Sequence, residues 1–139
     1  MTLRETFIQG LIAVLTAAPS LGAAVERSII RAFGREEGMV IVVHRGGEAE
    51  PDNSRLGVID RVCEILISVV ARGDAPDQLA DVVLEIAHPL VMTYTDTHII
   101  DVWEGQTDAP KFADADGTAG LITVHYFIRY RTTPNSLTN

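Results

Sequence analysis

The chain has 139 residues, 47% hydrophobic and 22% charged, which is the size of one compact domain with a single core. Its 11 basic and 19 acidic residues leave a formal charge of −8, and this argues against nucleic acid as a partner because phosphate binding needs a positive footprint. No apolar run approaches the roughly 18 residues of a membrane span, residues 1–5 lack the order of a signal peptide, and the single cysteine, Cys63, excludes an intramolecular disulfide or a cysteine-rich zinc site. A soluble protein of a reducing compartment is expected, with no membrane partner.

Thr2 followed by Glu5 forms a capping box, so a helix is predicted to begin there. Leu3, Phe7, Leu11, Val14 and Leu15, widened by Ile8 and Ile12, give it one apolar face until Pro19 and Gly22 end it. Over residues 25–33 the pattern changes to alternation, with Val25, Ile29 and Phe33 sharing a side with Arg27 and Arg31, and a strand is expected. Met39 to His44 is a β-branched run of the kind covered on both faces, placing it centrally in a sheet. Residues 46–54 are turn-forming and charged, which predicts a long exposed connection. Residues 59–71 then alternate again, with Cys63, Ile65, Ile67 and Val69 on one strongly apolar face.

Residues 73–77 place Pro76 and two carboxylates at a helix start. Leu79, Val82, Val83, Ile86 and Leu90 are the expected buried stripe, and Pro89 is expected to kink or stop the helix near His88. Two more alternating stretches, 98–104 and 121–131, predict strands, the second with Ile122, Val124, Tyr126, Ile128 and Tyr130 on one side. Residues 105–120 read as a second acidic loop and the last residues as a frayed end. The order predicts an α+β domain: a mostly antiparallel sheet of about four to five strands with two principal helices packed against it, spanning residues 1–132, and a flexible tail at 133–139.

The charge is uneven. Residues 1–72 carry 8 basic and 9 acidic residues, 73–118 carry 1 and 10, and 119–139 carry 2 and none. A solvated helix face and loop account for this, as do polar contacts between neighbouring copies.

Catalytic signatures are missing: there is no nucleophile elbow, phosphate loop or dinucleotide fingerprint. His44, His88, His98 and His125 are far apart and lack metal-ligand spacing. Residues 114–117 resemble a calcium-loop fragment, but Phe112 and Thr123 would stand where carboxylates are required. Cys63 belongs to an apolar strand face and reads as a small hydrophobe. Trp103, in phase with Ile99 and Asp101, reads as a core aromatic or an interface anchor. Asp77 and Asp81 are four apart, a spacing common on exposed helices. Interaction is therefore expected rather than catalysis, with no cofactor or metal.

Several strings together carry a resemblance. They are Leu3-Arg4-Glu5 in the opening helix, Val40-Ile41-Val42-Val43, Gly46-Gly47-Glu48, and Arg61 through Val69-Val70-Ala71-Arg72-Gly73. The helix from Leu79 to Leu90 with His88 follows, then Asp101, Glu104-Gly105, Ala113-Asp114-Ala115-Asp116, and Leu121 through Tyr126 to Tyr130-Arg131-Thr132. Over nearly the whole chain this resembles the tail-terminator (tail-completion, minor tail protein U type) proteins of long-tailed bacteriophages and prophages, with Pro89 a departure.

The resemblance implies a structural protein of the virion tail, assembled in the bacterial host cytoplasm. Such proteins form a ring, usually of six copies, on the head-proximal end of the tail tube, stop tube growth and present a surface for head joining. The implied partners are the protein itself, the tail tube protein and a head-completion or connector protein. A ring needs two different complementary surfaces. Arg27, Arg31 and Arg35 are the candidates to face acidic groups of a neighbour. Glu48, Glu50, Asp52 and Arg55 in the first loop, and Asp108, Lys111, Asp114 and Asp116 in the second, are the candidates for contacts above and below the ring. The rival expectations are another head–tail connector or tube-associated protein, and a small enzyme or ligand-binding domain using His44, Asp101 and His125 in a cleft.

Overall fold

The computed structural model describes residues 1–28, 38–112 and 118–139. Helix α1 (Leu3–Thr16) begins at Thr2, whose side chain accepts the Glu5 N–H, and buries Leu3, Phe7, Ile8, Leu11 and Leu15. Strand β1 (Ala24–Glu26) runs parallel to β2 (Val40–Glu48), which pairs antiparallel with β3 (Ile59–Arg72). After α2 (Pro76–Met92) come β4 (Ile99–Thr107), the two-residue β5 (Lys111–Phe112) and β6 (Ala119–Thr132).

Among the described residues the sheet has six strands in the order β1-β2-β3-β6-β4, with β5 on β6 beyond the end of β4. Its spine is the antiparallel pair β3–β6, in unbroken register from Ile59 opposite Thr132 to Arg72 opposite Ala119. Every pairing except β1–β2 is antiparallel, so the α+β expectation holds, with β5 added to the expected strands.

Helices α1 and α2 lie on one face. There Ile41, Val43, Cys63, Ile65, Ile67, Val69, Ile122, Val124, Tyr126, Ile128 and Tyr130 meet the buried sides of α1 and α2. Full burial of one such aliphatic side chain contributes about 1.5–3 kcal/mol, so this face holds the domain together. Phe7 meets Tyr130 edge-on at 5.2 Å. Gly10 lets the chain after α2 come close to α1, because a Cβ there would lie 2.0 Å from the Tyr94 hydroxyl. On the opposite face Val40, Val42 and Val70 form a smaller cluster with Leu121, which is why the whole run Val40 to Val43 is buried, as a strand covered on both sides requires.

Five expectations need correction. The strand expected over 25–33 ends at Glu26 in the described chain, and Ile29, Arg31 and Phe33 lie outside the described residues. Strand β2 runs on through Gly46 and Gly47 as a bulge, and Glu48 pairs with Cys63. The glycines bend the ladder without ending it, and the connection shrinks to residues 49–58, where Asp52 bridges Asp60.

Strand β4 likewise continues through Gly105 to Thr107, and β5 lies inside what reads as an acidic loop. Helix α2 passes Pro89 and ends at Met92. Pro89 is exposed, so its missing N–H costs one helical hydrogen bond without leaving a buried group unpaired. The buried side of α2 is Pro76, Ala80, Val83, Ala87 and Val91, whereas Leu79 and Val82 are exposed by 38% and 54%. Small residues let the helix approach the sheet closely, and that turns the larger ones outward. Beyond β6 a turn follows at residues 134–135, and the Leu137 carbonyl accepts the Leu3 N–H at 2.9 Å.

Candidate functional site

Polar groups gather at several points of the helix-covered face. Near the start of α1, the Glu48 carboxylate holds the Arg4 guanidinium on one oxygen and accepts the buried Tyr130 hydroxyl at 2.6 Å on the other. Burial and the Glu48 charge push the Tyr130 phenol up, so it stays a donor. Glu5 pairs with Arg27 through two contacts of 3.1 and 3.2 Å, and that hydrogen bonding lowers its pKa. Elsewhere on this face the His88 ring nitrogen lies 2.6 Å from the Tyr126 hydroxyl. Cys63 is buried, and its thiol is pushed up to about 12 by burial and then by the Glu48 charge, so no thiolate nucleophile forms there.

The opposite face carries a row of polar groups. His44 on β2 and His125 on β6 both stand opposite Leu66 of β3 and so share one face. His44 Nε2 lies 3.0 Å from Ser68 Oγ, which shares a 2.8 Å hydrogen bond with Thr123 Oγ1. His125 sits between two carboxylates: Nε2 is 3.0 Å from Asp108 Oδ1 and Nδ1 is 3.4 Å from Glu64 Oε1. Burial opposes the His125 charge, but Asp108 and Glu64 prevail and raise its pKa, whereas burial, Arg27 and His125 lower that of His44. Asp101 stands apart, opposite Arg129, two same-face positions along β6 from His125. Its carboxylate accepts the neighbouring Val102 N–H. No cavity opens among the described residues, and Ser68 is fully buried, so the structure brings His44 and His125 together without Asp101 and without a cleft.

Further along this face Trp103 stacks on Phe127, 5.6 Å between ring centres and 19° from parallel, and the Arg129 guanidinium lies 5.3 Å from the indole. Gly105 makes room for the pile, since a Cβ there would lie 2.4 Å from the Phe127 ring. Trp103 is thus half-buried outside the main core. A bulge between Ile99 and Asp101 breaks the phase that sequence alternation assumes, leaving Ile99 on the core side and Ile100 exposed.

Of the contact candidates, Arg27, Glu48 and Asp108 are engaged within the fold by Glu5, by Arg4 with Tyr130, and by His125 with Gln106. Glu50, Asp52 and Arg55 are exposed on the 49–58 connection, and Lys111 is exposed on β5. Arg31, Arg35, Asp114 and Asp116 lie outside the described residues. No group of carboxylates, histidines and Cys63 suited to a metal ion occurs among the described residues.

No family model matches the chain, and no curated protein does. Its fold, an antiparallel-dominated sheet with α1 and α2 on one face, is also that of a chain in the solved "Virion of native gene transfer agent (GTA) particle". The two agree with a TM-score of 0.67 over 90% of this chain and 94% of that one, at 16% sequence identity.

Proposed function

We propose that the protein is a structural component of a virion and, within that class, a tail terminator: a ring that caps the head-proximal end of the tail tube, ends its growth and offers the surface for head joining. The observation that carries the coarser reading is the shared fold with a chain of a virion particle over nearly the full length of both. The finer reading is supported by the order of elements and strings that resemble tail terminators. On it the work is assembly rather than catalysis, and the partners are further copies of the chain, the tail tube protein and a head-completion protein.

The surface suits such a role. Trp103 and Arg129, residue types that anchor interfaces, are stacked in advance on an exposed part of the sheet. The 49–58 connection with Glu50, Asp52 and Arg55 projects from one end of β2 and β3. Light scattering tests the ring. The expected species has six times the 15.1 kDa mass of one chain, either free or after addition of tail tubes. A strict monomer that also fails to bind tube ends overturns the terminator reading.

A further inference from the structure

We infer that His125 is a proton-operated clasp: with both ring nitrogens protonated it holds Glu64 of β3 and Asp108 of the β4–β5 connection together on β6, and with one proton it holds only Asp108. The inference stands on the geometry of this face and does not depend on the assembly role.

The two contacts are unequal. Nε2 lies 3.0 Å from Asp108, within hydrogen-bond geometry, whereas Nδ1 lies 3.4 Å from Glu64. Asp108 is also held independently, because its Oδ1 accepts from Gln106 at 2.9 Å and its own N–H donates to the Thr123 carbonyl at 2.9 Å. A neutral imidazole has one N–H. Kept on Nε2 for the shorter bond, that proton leaves the Nδ1 lone pair facing a carboxylate oxygen, and the Glu64 contact becomes repulsive.

Glu64 is the mobile arm. Its carboxylate lies over Gly46 at the β2 bulge, where a Cβ would come within 1.9 Å of Oε1. Release of Glu64 therefore uncovers the bulge that leads into the 49–58 connection. The three side chains are 20%, 25% and 29% exposed for His125, Glu64 and Asp108, so solvent can deliver and remove the proton.

The charged and titratable surroundings are consistent. His44 faces His125 from β2, with Ser68 and Thr123 completing the row. Burial, Arg27 and His125 itself all disfavour charge on His44, so a single proton in this row goes to His125. Lys111 favours the ionised form of Asp108.

The test is an NMR titration of the His125 ring in the full chain, with hydrogen exchange of the amides at residues 46–48 across the same pH range. The expected result is a midpoint above the ordinary histidine value, an Nε2–H tautomer in the neutral form, and a lower midpoint in both Glu64→Gln and Asp108→Asn. Exchange at 46–48 should accelerate through that midpoint beyond the intrinsic rise with pH, and Glu64→Gln should abolish the excess. His125→Gln should abolish it too, and if that variant does not fold the two carboxylate variants decide. A midpoint unmoved by both carboxylate substitutions, or exchange at 46–48 that follows the intrinsic rate in the unaltered protein, overturns the clasp.

Discussion

The two faces of the sheet fasten their strands with the same kind of group and very different holders. On the helix-covered face Glu48 is gripped by Arg4, a guanidinium that stays charged at any working pH, and by a phenol whose proton is held more tightly than usual. On the opposite face Glu64 and Asp108 share His125, whose charge is lost as pH rises through its raised pKa. The first face is therefore a fixed joint and the second a conditional one. The difference lies in the holders and not in exposure, since the Arg4 and Glu48 side chains are 21% and 18% exposed and those of His125 and Glu64 20% and 25%.

The fixed joint is broken most severely from within its core. Phe7 is fully buried and meets Tyr130 edge-on, so Phe7→Ala should lower stability by about 3–5 kcal/mol in urea denaturation. Glu48→Gln keeps the shape but removes the charge that Arg4 requires, and a loss of about 1–3 kcal/mol is expected. Glu64→Gln on the conditional face should cost only about 0–1 kcal/mol, because Glu64 makes one long contact of 3.4 Å to His125 whereas Glu48 holds both Arg4 and Tyr130. Equal losses for the two Glu→Gln variants would erase the contrast between the faces.

A third break separates stability from assembly. Trp103→Ala removes a stacked pair whose contribution beyond area is about 0.5–1.5 kcal/mol, so the melting transition should move modestly, while ring formation or tube binding should be lost if Trp103 anchors a contact. Gly105→Ala should reproduce that loss by pushing Phe127 aside, since its Cβ meets the ring at 2.4 Å. Retention of assembly in both variants removes this pile from the interface.

The smallest expected effect is the pH dependence. His125 has a folded pKa above its unfolded value, so its contribution is fully present below the ordinary histidine pKa and fades as pH rises through the raised one. Glu5, Asp60 and Asp96 run the other way. Their pKa values are lowered by Arg27, Arg131 and the His98 N–H respectively, so their contributions are present above the ordinary carboxylate range and fade on acidification. Denaturation midpoints measured from acid to mildly alkaline pH should show both losses, and His125→Gln should remove only the alkaline one.

The sequence disclosed what local periodicity controls. The alternation of Cys63, Ile65, Ile67 and Val69, and of Ile122 through Tyr130, marks β3 and β6 because β3 buries one face from Cys63 onward and β6 along its length. Gly46–Gly47 and Gly105 read as turns because isolated glycines favour them, whereas pairing with β3 and β6 carries the ladder across both. Leu79 and Val82 looked buried because hydrophobicity outranked size in the pattern, yet Ala80 and Ala87 are what allow α2 to sit on the sheet. The polar and aromatic clusters were the least legible. Trp103 finds Phe127, and His125 finds Glu64, through cross-strand register between residues distant in sequence, and no local spacing encodes it.

The most direct measurement of the central claim follows tail-tube growth by light scattering as tube subunits polymerise with and without this protein. Growth should stop at amounts of the protein far below those of the tube subunit, with a cap on one end of each tube by electron microscopy. Tubes of unchanged length with bare ends would contradict it.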